Sequence, residues 1–153
     1  MTFAYQTVTG DAARKPDELL ELCRVAFEVF QPDYLTSRLV HVVDPSLVTA
    51  RFANGSLAGF KLGYRRGATL LYSWLGAVHP DARRQGVAAE LMRRQHTWAQ
   101  SQGYTDIDTQ TRAANNAMII LNLKSGFRIR GFGLDTLGRE IVIQRKQLAA
   151  ATL

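Results

Sequence analysis

The stretch from Leu70 to Leu91 constrains this chain more than any other. The apolar run Leu70 to Val78 reads as a strand that stops at His79-Pro80. Proline cannot donate to a sheet ladder, and it pushes its predecessor toward extended geometry. A short loop rich in Arg and Gly follows, and a helical pattern begins at about Gly86. Beyond Val87, residues Ala88, Leu91, Met92, Gln95, Trp98 and Ala99 recur at helical spacing, with Arg93, Arg94 and His96 on the other side. The result is strand, tight basic loop, helix N-terminus. Such a start exposes backbone N–H groups without internal partners and carries roughly half a positive charge, so it suits an anion. Gly86 and Ala88 matter here, because a phosphate reaches backbone N–H groups only where side chains are absent or small.

The flanking segments punctuate clearly. Phe3 to Val8 alternates weakly as a first strand, and Pro16 to Phe30 reads as a helix with Asp17 and Glu18 in its first turn. Gln31-Pro32-Asp33 breaks that helix, and a shorter one is expected from Thr36 to about Val43, ending before Asp44-Pro45. Strands Leu47 to Phe52 and Leu57 to Tyr64 are joined at Asn54-Gly55, a strong hairpin signal. The helix from Gly86 ends near Gln102-Gly103. Tyr104 to Thr111 alternates as a strand, and Asn115-Asn116 opens a helix stopped by Gly126. Apolar residues surround most of that helix, which predicts burial. Phe127 to Phe132 and Arg139 to Arg145 read as the last strands, and the tail from Gln147 to Leu153 as a frayed end. With no repeat, linker or low-complexity segment, residues 1–153 read as one domain.

A net charge of +6 points to anionic partners: nucleic acid, an acidic membrane surface or a multiply phosphorylated ligand. The charge is spread without a block of like residues, and no base-reading or RNA-stacking motif is present, so no nucleic-acid partner is expected. Cys23, the single cysteine, excludes a disulfide within the chain and lacks a nearby base, which makes it a buried structural thiol. Met1 to Gln6 does not read as a signal peptide, and no apolar run is long enough to span a bilayer. A cytoplasmic protein with no membrane partner is expected. His41 and His96 have no partners at metal-ligand spacing, so no metal is expected.

Arg83-Arg84-Gln85-Gly86-Val87-Ala88 resembles the Arg/Gln-x-x-Gly-x-Gly/Ala signature of the GNAT (N-acetyltransferase) superfamily. A second stretch, Asn115-x-x-Met118-x-x-Leu121-Asn122-x-Lys124-x-Gly126-Phe127, is similar to the family's later motif, where a helix ending in Gly-Phe borders pantetheine and thioester. The order β-α-α-β-β-β-α-β-α-β-β matches the family element by element. The resemblance implies an α/β (α+β) fold, with a central mixed, mostly antiparallel sheet of about seven strands flanked by about four helices. It implies an acyltransferase that uses acetyl-CoA and no metal and moves an acetyl group directly to an amine of a small molecule or peptide. The alternative is a non-catalytic acyl-CoA-binding or regulatory domain. A homodimer paired through an exposed edge strand is compatible with the pattern.

Carried onto this sequence, the resemblance gives the amides of Arg83, Arg84, Gln85, Gly86, Val87 and Ala88 to the CoA pyrophosphate, with Arg83 or Arg84 adding a charge-assisted contact. Ala77 and Val78 lie where pantetheine pairs with the fourth strand, making the Val78 amide the candidate oxyanion donor. Asn115 caps its helix near the CoA arm. Asn122 departs from the Tyr of many relatives and can only donate a hydrogen bond to the departing thiol. The fourth strand carries no carboxylate, which leaves Asp106 and Asp108 on the fifth strand and His79 as the acid–base groups nearby. Acceptor specificity is expected from Phe30 to Leu35 and from Phe132 to Gly138.

Overall fold

A computed structural model describes residues 1–149. Its elements are β1 (Ala4–Thr9), α1 (Asp17–Ala26), α2 (Pro32–Leu39), β2 (Val43–Arg51), β3 (Leu57–Gly67), β4 (Leu70–Val78), α3 (Val87–Ser101), β5 (Asp106–Arg112), α4 (Asn116–Lys124), β6 (Arg128–Leu134) and β7 (Glu140–Gln147). Short 3-10 turns occupy Gly10–Ala13 and Pro80–Ala82. The seven strands form one sheet in the order β1-β2-β3-β4-β5-β7-β6. Every neighbouring pair is antiparallel except β4 and β5, which are joined by the α3 crossover. The expected fold class is thus the observed one.

Alternation along the strands splits the core across the sheet. On one face α1 and α2 bury Leu19, Leu22, Leu35 and Leu39 against Leu47, Phe60, Leu62 and Ala77. On the other, Val87 and Leu91 of α3 cover Val48, Ala50 and Ala58. Met92 and Ala99 then meet Leu71, Ile107 and Phe127, with Leu121 of α4 packed against them. Two glycines let α3 lie close to β3: Cβ atoms at Gly59 and Gly63 would stand 3.1 Å from Leu91 and from Gln95.

Three boundaries differ from the sequence reading. The first helix ends at Ala26, with Phe27 already extended. The second starts at Pro32 rather than Thr36 and ends at Leu39. Proline suits a first helical turn, where its missing N–H has no partner to lose. Residues from Val43 join β2 instead, through an irregularity that puts Asp44 at φ 49° and steps past Pro45 before Ser46 resumes pairing. Most consequential, α4 is not largely buried. Asn122 is its one fully buried residue, while Ile120 and Leu123 remain 49% and 43% exposed. Gln147, expected to fray, still pairs with Asp106, and Leu148 is buried; residues 150–153 lie outside the described residues.

Candidate functional site

The parallel β4–β5 pair is short. Leu70 to Ser73 pair with Asp106 to Thr109, and pairing then stops although both strands continue. A bulge in the β3–β4 ladder, where Gly63 faces Ser73 but Leu62 faces Leu75, leaves Trp74 as the extra residue at this point. The Thr109 hydroxyl donates to Ser73 O at 3.0 Å and pins the vertex. Beyond it, Leu75 to Val78 pair only with β3 and Gln110 to Arg112 only with β7, which leaves a gap within the sheet. At about 3.3 Å per residue, the open edge of β4 is about 13 Å long.

That edge presents backbone groups. The His79 N–H donates to Ala58 O at 2.7 Å, so residues 79 and 77 bond toward β3. By antiparallel alternation the N–H and C=O groups of Val78 and Gly76 turn to the gap. Ala77 is buried with its side chain on the α1–α2 face, while Val78 packs on the α3 face.

The loop after β4 brings the helix start to the mouth of the gap. Arg84 and Gly86 adopt left-handed φ values of 62° and 77°. This costs little for Gly86 but about 1–2 kcal/mol for an ordinary side chain such as Arg84. No side chain caps α3 at Gly86, and the space where a Gly86 Cβ would project is open. The first-turn amides of α3 thus have no partner among the described residues, and Ala88 is small. A diphosphate fits this cradle. The side chains sort themselves: Arg83 donates to Ala26 O at 3.2 Å and Gln85 to Asp81 O at 3.2 Å, whereas Arg84 stays exposed without such a contact. Glu90 in the same first turn is clamped by Arg93 and Arg94 at 2.7 and 2.8 Å, and these bonds hold its carboxyl down at about 2.

On the opposite side of the gap, Asn115 caps α4 with Oδ1 accepting the Met118 N–H at 3.2 Å. Asn122 Nδ2 donates to Gln144 Oε1 at 2.9 Å, and Gln144 donates onward to Ile119 O at 3.3 Å. Gln144 sits opposite Thr109, so Asn122 lies over the vertex row, tying α4 to β7. Of the candidate acid–base groups, Asp108 receives both Arg145 guanidinium bonds, one at 2.8 Å, and is not a free base. Asp106 accepts from the Thr105 hydroxyl at 2.8 Å, and His79 Nδ1 from the Asp81 N–H at 3.0 Å. Burial pushes the Cys23 thiol up to about 12, so it is inert packing.

Sequence reasoning missed two features beside the gap. Trp74 Nε1 donates to Tyr34 Oη at 3.3 Å with the rings edge to face, which places the α1–α2 segment against β4. Lys61 of β3, opposite Gly76, is half-buried on the α3 face; the only signal of it was a lysine inside an apolar strand run. Among the described residues no cluster of His, Cys, Asp and Glu could hold a metal, and no helix is long and apolar enough to cross a membrane.

Comparison with known proteins agrees with this geometry. The sequence profile of the acetyltransferase (GNAT) family matches residues 16–127. Aminoglycoside N(6')-acetyltransferase type 1 of Klebsiella aerogenes is 34% identical over 64 residues, which is 42% of this chain and 41% of that protein. The match thus spans less than half of that curated relative. The ribosomal-protein-S18-alanine N-acetyltransferase from Escherichia coli superposes with a TM-score of 0.77 at 17% identity, over 97% of each chain. A GNAT family acetyltransferase from Elizabethkingia anophelis, solved with acetyl-CoA bound, gives a TM-score of 0.76 at 15% identity, over 94% of this chain and 98% of that one. At such identities the likeness is one of fold.

Proposed function

This chain belongs to the acetyltransferase (GNAT) family, and we propose that it is an acetyl-CoA-dependent N-acetyltransferase acting directly on an amine of a small molecule or peptide. The observation that carries this reading is the gap between β4 and β5, pinned at Ser73–Thr109 and topped by the uncapped start of α3. Acetyl-CoA, when bound, supplies an acetyl group already activated as the ester of a thiol. The chain's own residues bind and orient it. The amides of Arg84 to Ala88 take the pyrophosphate, with the exposed Arg84 side chain adding charge; Arg83 stands outside the cradle, since its guanidinium bonds Ala26 O and its N–H bonds Pro80 O. The gap-facing groups of β4 beside Ala77 align the pantetheine arm, and the Val78 N–H is the oxyanion donor. Asn115 and Asn122 border the arm from α4.

The acceptor lies on the face that α1 and α2 leave open beside Tyr34 and Trp74, between the segments Phe30 to Leu35 and Phe132 to Gly138. Because Arg145 holds Asp108, the amine has to lose its proton largely without help. At pH 7.5 this costs about 4 kcal/mol for a lysine-like amine of pKa 10.4, but only a few tenths for an α-amine of about 7.8. The reading therefore favours low-pKa amines. A second reading, a non-catalytic acyl-CoA-binding domain, is favoured by the engagement of the Asn122 amide with Gln144.

Thermal unfolding with acetyl-CoA at one hundred times its Kd should show a stabilisation of about 2.7 kcal/mol. No shift would overturn both readings. Thiol release with a panel of amines then separates them. Turnover with α-amines ahead of lysine is the expected result; turnover with none leaves the binding domain.

A further inference from the structure

Lys61 has no ion-pair or hydrogen-bond partner among the described residues, although it is half-buried. Its strand neighbours on the α3 face are glycines, Gly59 under Val87 and Leu91 and Gly63 under Gln95. Its cross-strand partner is Gly76, where a Cβ would stand 3.8 Å from Lys61 Cγ. Gly76 belongs to the open edge of β4. With no side chain there, the lysine stem is free to pass over β4 to the gap.

The polar groups around it are also unsatisfied. Gln95 is 0% exposed with neither amide atom bonded, and His96 is buried with Nε2 unbonded. Lys146 of β7 bonds His96 Nδ1 at 3.0 Å, so it faces the cluster as a second cation. Burial, then Lys146, then Lys61 pull His96 down to about 3, and it is neutral at pH 7. Across the strands Lys61 faces Val48 of β2 and Gly76 of β4, and no carboxylate among the described residues forms an ion pair with it. Even half-buried, an unpaired cation among apolar and glycine neighbours is costly, and an anion arriving beside it offsets that cost.

We infer that Lys61 faces the sulfur of the acyl donor and supplies the proton to the thiolate released on transfer. The inference rests on the reading that acetyl-CoA occupies the gap. The amine's electron pair forms the C–N bond as the C–S bond opens and sulfur keeps its pair. The Lys61 Nζ–H bond then breaks as S–H forms, the new amide's surplus proton leaves to water, and solvent reprotonates Nζ. Burial brings the Lys61 ammonium down to about 8, close to a thiol's own value, so the transfer is nearly balanced.

The test needs no acceptor. CoA is bound to wild type and to Lys61→Met, and its thiolate absorbance is titrated against pH, with calorimetry of acetyl-CoA on both. The bound thiol should ionise at least about one unit lower in wild type than in the variant, a tenfold difference in thiolate at a given pH. Acetyl-CoA should bind both alike. Equal thiol titrations with intact acetyl-CoA binding overturn the inference alone; no acetyl-CoA binding to wild type overturns the functional reading beneath it. Lys61→Met should unfold at the same or a higher temperature, whereas a purely structural lysine would lower it. With a working amine, kcat should fall about 10²-fold at little change in KM, and the loss of rate above pH 8 should disappear in Lys61→Arg.

Discussion

The sheet has two halves that are dressed differently. In β2 to β4 both faces are covered, by α1 and α2 on one side and α3 on the other, and Phe60 at the centre is 1% exposed. In β5, β7 and β6 the cover, α4 with the later turns of α3, lies on a single face, and Phe132 on the outer strand is 66% exposed. The boundary between the halves is the β4–β5 gap. The contrast teaches that one half serves as a rigid wall, built to hold backbone donors in register, while the other leaves side chains accessible. A strand pair can be left open for a ligand only if the walls do not rely on that pair for their stability, and β3 and β7 carry the ladders that replace it.

The largest expected effect is in the covered wall. Phe60→Ala removes a ring packed between α1, α2 and the sheet, and should cost about 3–5 kcal/mol in chemical denaturation. A cost under about 1 kcal/mol would mean that this wall is no better packed than the open half.

Acid titration probes where the two halves are stitched. His96 on α3 bonds Lys146 on β7, and burial, with Lys146 and Lys61, lowers its folded value to about 3 from 6.5. The folded state thus refuses a proton that the unfolded chain accepts. Stability attributable to His96 is full above pH 6.5 and falls with pH down to about 3, by about 3 kcal/mol at pH 4. The comparison with His96→Gln, whose unfolding should lack this dependence, isolates the residue. Parallel curves would detach His96 from the seam.

Much of this arrangement was legible in the sequence. Pro80 ended β4 at the right residue, Gly86 started α3, and Asn115 capped α4, because each of these is a local demand of backbone chemistry. The gap was legible only through the family resemblance and not from the residues themselves. It depends on where the β4–β5 pairing stops, which a one-residue bulge at Trp74 decides through the register of three strands. Lys61 was hidden for the same reason, since only the register sets it opposite Gly76. The apolar composition of α4 misled because burial depends on what neighbours exist, and the open half supplies cover on one side only.

A smaller effect is expected where α4 is fastened to that open half. Asn122→Ala leaves the buried Gln144 carbonyl oxygen without its donor and should cost about 1–3 kcal/mol. Restoring only shape, as in the double variant Asn122→Leu with Gln144→Leu, should recover most of it. If the double variant is as unstable as the single, the pair is not what holds α4 down.

The smallest effect belongs to the outer strand. Phe132→Ser alters a side chain that is two-thirds exposed, in a strand paired only with β7, so its equilibrium stability should move by no more than about 0.5 kcal/mol. The same substitution lies in a segment proposed to meet the acceptor. The informative measurement is therefore a pair: unfolding free energy unchanged, and KM for the acceptor amine raised while that for acetyl-CoA stays constant. A stability loss matching that of Phe60→Ala would erase the contrast between the halves. An unchanged acceptor KM would keep the contrast but remove β6 from the acceptor site, leaving Tyr34 and Trp74 on the covered half to select the amine.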